Sequence, residues 1–254
     1  MLKLGKAPAT IDTRDLLFAK YRVAAQLPKG PVRFGHEKLF PCDGWGMLGN
    51  DTAGDCVIAG GMHETMLWSK LGKKTITFDA TCAFRDYSAI TGYHCKDPST
   101  DNGTNVRDAL KYRQKIGLRD VVGERHKIAA YVALEPGNLK ELREAVWLFG
   151  AVGIGIRVTQ KAMDQFYAGT YWKASAGKSL GGHYIPVVCR RITQMTPATL
   201  LGAVTWGKLH YMTEAFYSKY CDEAWAILST EMLVDGRTDE GFDFAQLKTD
   251  LAVL

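Results

Sequence analysis

Two residues far apart in this 254-residue chain have the chemistry for nucleophilic catalysis: a cysteine that opens a helix and a histidine that opens an apolar strand. The cysteine, Cys56, follows the turn-rich run Leu48-Gly49-Asn50-Asp51-Thr52-Ala53-Gly54-Asp55. Free N–H groups and the dipole at a helix start favour negative charge, so this thiol is expected to titrate below the ordinary value of about 8.5, with the like charge of Asp55 opposing the shift. The same N–H groups, with the amide of Asn50 six residues upstream, suit a developing oxyanion. The histidine, His183, lies in Gly181-Gly182-His183-Tyr184-Ile185, where it can act as a base. Each has a plainer reading: an inert buried cysteine, and a histidine hydrogen-bonded at a turn.

These side chains need a scaffold. Residues 1–40 hold three prolines and one short apolar run at 16–19, so they read as an extended arm laid over a core. Asp55 can cap a helix from 56 to about 71, where Gly72 stops it. The adjacent Gly60 and Gly61 weaken that helix by about 1 kcal/mol each against alanine, which points to a close approach by another backbone. Further helices are expected after Asp79 as far as Ile90, after the turn at 101–103 up to Gly117, and from 139 to Gly150, where Leu139, Leu142, Val146 and Phe149 share one face. Then the period changes. Runs rich in Val, Ile and Leu at 152–158, 183–192 and 199–205 read as strands, followed by a helix near 213–220 and a strand at 224–228. Mostly helices and then mostly strands indicate an α+β chain with two segregated lobes. The expected organisation is an arm at 1–40, a helical lobe at 41–120 carrying Cys56, and a β-rich lobe at 121–254 carrying His183 and ending in a tail.

Taken in order, these pieces resemble the papain-like cysteine peptidases, including their bacterial and phage-borne members. In that family an amide lies six residues before the nucleophile, the cysteine opens the central helix, and a histidine from a β lobe faces it. Residues 150–156 and 166–171 resemble the strand and tyrosine-glycine turn that precede the family's histidine, and Trp206-Gly207 resembles the end of its N-S-W-G motif. The resemblance spans about 45–228. It implies a helical lobe and an antiparallel β lobe with the site in the cleft between them, Cys56 and His183 as catalytic pair, Asn50 at the oxyanion, and Trp206 shielding the imidazole. Three positions depart from the family. Asn50 replaces glutamine, Ala53 replaces a disulfide cysteine of secreted members, and Val204 replaces the asparagine that orients the histidine. Valine has no hydrogen-bonding group for that task. The neighbouring Thr205 has one, but alternate strand residues face opposite ways, so it needs a bulge to take over. The arm is shorter than a typical inhibitory propeptide, and zymogen control is not expected.

The functional expectation is therefore a thiol hydrolase, a cysteine peptidase acting on peptide or protein substrates. The alternative is a papain-fold binding or structural module, such as a phage virion or assembly component with virion proteins as partners. Composition narrows the rest. An apolar fraction of 46%, charged residues at 23%, 26 Gly and 8 Pro describe a globular chain. No apolar run is long enough for a membrane span, and the charged N-terminus does not read as a signal peptide, so a cytoplasmic or virion location is expected. The net charge of +5 is spread along the chain and points to no nucleic-acid partner. Six scattered cysteines fit a reducing compartment, and pairing among Cys42, Cys82 and Cys95 needs an oxidising one. His63-Glu64 lacks the second histidine of a zinc-protease motif. Cys82, His94, Cys95 and His126 lack zinc spacing, and no phosphate-binding glycine loop is present, so neither metal nor cofactor is expected.

Overall fold

In the computed structural model, which describes residues 2–24, 30–192 and 199–238 with positions 243, 245, 246 and 249, the first 40 residues wrap the core. They are not extended throughout. Phe18–Ala24 form a helix, α1, whose Phe18 and Tyr21 are fully buried and meet the ring of Phe149 at 6.3 and 6.2 Å. So short a helix has little intrinsic stability, and its packing face holds it. Ala133 N–H donates to Leu16 O at 2.8 Å, and Arg107 pairs with Asp15 and donates to Thr10 O, which fixes this half of the arm to the body. Phe34–Gly35, β1, then joins the sheet.

The helix opened by Cys56 runs Cys56–Leu71, α2, and every residue of it except Lys70 is buried. A helix hidden on all sides belongs at the centre of a fold. The glycine pair explains how it fits, with a correction. The close approach is made by side chains: a Cβ on Gly60 would lie 2.5 Å from the Tyr184 ring, and one on Gly61 would lie 3.1 Å from the Arg113 guanidinium. Both groups converge on Glu64, which accepts from Arg113 Nη1 at 2.6 Å and from the Tyr184 hydroxyl at 2.9 Å. Ala80–Thr91 (α3) and Val106–Lys115 (α4) complete the helical side, their first turns capped by Asp79 and Asn105.

A two-stranded ribbon, Leu118–Arg119 (β2) with Arg125–His126 (β3), leads to the sheet. The sheet contains Ile128–Leu134 (β4), Val152–Thr159 (β5), Ser179–Ile192 (β6), Thr199–Thr205 (β7), Lys208–Thr213 (β8) and Cys221–Ser229 (β9). Its order is β4-β9-β5-β6-β7-β8, all neighbours antiparallel, with β1 pairing the far part of β6. Leu139–Phe149 (α5) is capped by Asn138 and ends at Gly150 with φ 73°, as its sequence indicates, while Glu214–Tyr220 (α7) precedes β9. Gln160–Tyr167 (α6), β4 and β8 are additions to the elements read from sequence. One apolar cluster runs from α2 through the sheet, so the two sides share a core. This mixed helix and antiparallel-sheet architecture is the expected α+β class.

Candidate active site

Residues before Cys56 form a compact turn in which Leu48 and Gly49 adopt φ of 52° and 87°. Thr52 and Ala53 N–H both return to Gly49 O, and the Asn50 amide donates to Ala53 O at 3.2 Å. One amide N–H of Asn50 is thus spent on the turn. Asp55 precedes the helix without capping it, contrary to its sequence reading: its side chain is fully buried and neither carboxylate oxygen has a hydrogen-bond partner. Burial raises its pKa well above the ordinary carboxylate value, against the pull of the nearby Asn50 amide.

His183 sits on β6, and its Nε2 shares a 2.8 Å hydrogen bond with Thr205 Oγ1. The bulge that this contact needs lies in β6. Val187 pairs Ala203 but Cys189 pairs Gly202, so one extra residue at 188 reverses the facing of the two strands. Thr205 rather than Val204 then shares the face of His183. Beyond it, Trp206 and Gly207 take φ of 44° and 77° at the centre of the tight β7–β8 hairpin closed by Thr205 and Lys208. This turn lays the Trp206 indole flat on the imidazole, with ring centres 4.3 Å apart and planes 17° apart. The other ring nitrogen, Nδ1, is buried without a partner.

Cys56 is 1% exposed and His183 equally so. Burial pushes the Cys56 thiol up to about 12, although the backbone N–H groups of Tyr184 and Gly5 pull the other way. The thiol therefore lies against the residue that follows His183, with β6 alongside the start of α2. Burial also pushes His183 down to about 3. The thiolate expected from the helix start is thus overruled in this closed state, where desolvation outweighs the dipole.

The arm contributes to this burial. Residues 2–7 lie across Cys56 between the two sides of the fold. Lys3 N–H donates to Asn50 O, Lys6 N–H to Gly182 O and Ala7 N–H to Thr104 O, while Gly5 O accepts from Thr104 N–H at 2.7 Å. Trp206 Nε1 donates to Lys3 O at 3.1 Å. Contact is tight enough to require glycine: a Cβ on Gly5 would lie 1.7 Å from Gly54 O, and one on Gly182 2.4 Å from Lys6 O. The arm presents an N–H to the sulfur, and its carbonyl is turned away to Thr104.

The remaining candidates have structural roles. His63 Nε2 bonds the carbonyls of Trp45 and Gly46, fastening that loop to α2, and burial pushes its pKa down to about 4. His126 bridges Asp120 and Glu231. The six cysteines are free, and Cys42 and Cys95 are exposed. Among the described residues no three His, Cys, Asp or Glu side chains cluster as a metal would need. No helix among them is long and apolar enough to cross a membrane.

No protein-family model matches the sequence, and no curated protein matches it. Solved structures do match the fold. Xylellain, a cysteine protease from Xylella fastidiosa, is 14% identical with a TM-score of 0.63, covering 90% of this chain and 97% of that one. Procathepsin B S9 from Trypanosoma congolense is 10% identical with a TM-score of 0.61, covering 91% and 86%. Digestive procathepsin L2 from Tenebrio molitor larval midgut is 13% identical with a TM-score of 0.63, covering 87% and 76%. At such identities the likeness is one of architecture, and by that architecture the chain has the two-lobe α+β fold of the papain-like cysteine proteases.

Proposed function

We propose that the chain is a cysteine peptidase whose Cys56 attacks a peptide carbonyl with His183 as base. The observation that carries this reading is the cleft itself, which already binds an extended peptide, residues 2–7, by main-chain hydrogen bonds from both sides directly over the thiol. With Nε2 engaged by Thr205, Nδ1 is the nitrogen left to take the Cys56 proton. The thiolate forms a tetrahedral adduct, whose oxyanion is met by the Cys56 N–H and the Asn50 amide. His183 returns the proton to the leaving amine, and water then hydrolyses the thioester. Trp206 keeps water from the imidazole and Thr205 sets its orientation.

In this reading the arm is an internal inhibitor that must lift for turnover. A second reading, the binding or structural module, draws on the neutral thiol and imidazole: if the arm never leaves, the site is inert. Incubating the full chain with a peptide library and mapping new termini by mass spectrometry separates them. Cleavage by wild type or Gly5→Val, lost in Cys56→Ala and His183→Ala, is the expected result. Absence of cleavage in both would leave the module reading.

A further inference from the structure

The residue of the arm next to the thiol contact is Lys6, and its side chain is completely buried. A buried lysine ammonium requires a prepared partner, because removing it from water unpaired costs several kcal/mol. The partner is built into the start of β9. Lys6 Nζ donates to Glu223 Oε1 at 2.7 Å and lies 3.1 Å from Asp222 Oδ1, with Ala7 O as a third acceptor at 2.9 Å. Glu223 is held from the other side, its Oε2 accepting from Trp225 Nε1 at 3.0 Å. The shape is equally specific. A Cβ on Gly155 would lie 2.6 Å from Lys6 Cε and 2.7 Å from both Asp222 Oδ1 and Glu223 Cγ, so only a glycine leaves room for the lysine stem. A hollow of about 400 Å³ continues past Lys6 along Asp222 and Ser179, and the Arg157 on its rim has its guanidinium over the Tyr220 ring.

We propose that Glu223 and Asp222, over the gap at Gly155, form the specificity pocket of the cleft, and that it selects a lysine or arginine side chain of the substrate close to the scissile bond. Lys6 is the internal occupant of this pocket. The inference deepens the peptidase reading and rests on it for the word substrate, but the pocket can be tested without chemistry. When the arm lifts, two carboxylates lose their cation beside a peptide-binding groove, and a basic side chain restores the pairing. An apolar side chain leaves Glu223 buried with only Trp225 as partner.

The test uses the full chain carrying Cys56→Ala, Gly5→Val and Lys6→Ala, so that nothing is cleaved, the arm is lifted from the cleft and the pocket is empty. Two fluorescent peptides are compared by anisotropy: residues 2–8 as they stand, and the same peptide with norleucine in place of its second lysine. Expected is at least about tenfold tighter binding of the lysine peptide, a preference that Glu223→Gln reduces and that 0.5 M salt weakens only modestly because the pair is buried. Equal affinity for the two peptides, or no binding of either, overturns the pocket. Gly5→Val with Lys6→Ala and Cys56 intact is assayed in parallel on a peptide library. Cleavage without basic selectivity rejects the pocket and keeps the peptidase, whereas selective binding without cleavage does the reverse.

Discussion

Gly5→Val should unmask the thiol, because the space a side chain would need is taken by main chain. The new Cβ would fall 1.7 Å from Gly54 O and 2.3 Å from its carbonyl carbon, atoms that no rotamer change can move aside. Overpacking of this kind costs about 1–3 kcal/mol. The covered state alone bears that cost, so the open fraction should rise about 5- to 150-fold, at 1.4 kcal/mol per factor of ten. Iodoacetamide labelling at pH 7, quantified for each cysteine, reads the change directly. Exposed Cys42 and Cys95 set the reference rate, and buried Cys82 and Cys189 report general loosening. Cys56 alone should accelerate. An unchanged Cys56 rate would refute the idea that the arm covers the thiol, and a parallel rise at Cys82 and Cys189 would mean that the substitution had loosened the whole fold.

In the unmodified chain the covered Cys56, whose thiol burial pushes up to about 12, should be labelled far more slowly than the exposed Cys42 and Cys95 between pH 7 and 9; equal rates would refute the burial. Val204→Asn should not improve catalysis, because Thr205 already holds His183, and burying an unneeded amide should cost about 1–3 kcal/mol in denaturant unfolding. Thr205→Val should lower kcat about tenfold with KM little changed and Thr205→Ser should restore it, as expected when one orienting hydrogen bond is lost. Burial pushes His63 and His210 down to about 4 and His183 to about 3, so the unfolded chain takes up protons below pH 6.5 that the folded chain refuses. Stability present above pH 6.5 should therefore fall on acidification, at up to about 4 kcal/mol per pH unit near pH 5, and a flat thermal midpoint between pH 7 and 5 would contradict this. Arg113→Leu leaves Glu64 buried without its cation and should cost about 3–5 kcal/mol.

Much of this was legible in the order of residues. Helix starts with Asp or Asn caps and glycine stops, as at Asp79, Asn138 and Gly150, depend on local geometry and came out where expected. The elements that were not legible depend on distant partners. α1 is helical because Phe18 and Tyr21 find Phe149, and β4 is a strand because β9 pairs it, which no local pattern in Ile128–Leu134 announces. The site shows the same division. Cys56, His183 and Trp206 carry their own motifs. Thr205 is decided by a bulge at Val188 seventeen residues away, and the thiol's protonation by an arm some fifty residues upstream. Lys6 was invisible for the same reason: its meaning lies in Glu223, at the other end of the chain.

The arm's attachment has a consequence for its strength as a ligand. Residues 10–21 are anchored to the body through Arg107, β4 and the buried rings of α1, so residues 2–7 meet the cleft at an effective concentration on the order of millimolar. Dilution cannot release them, and occupancy is the same in a crowded cell and in a nanomolar assay. A single cut between Ala7 and Thr10 would make the encounter bimolecular: at micromolar peptide, the ratio of covered to open cleft would fall by a factor of about a thousand with every contact unchanged. Control of such a site would reside in one peptide bond outside the cleft, and a freed segment would drift away without any change in the groove it left.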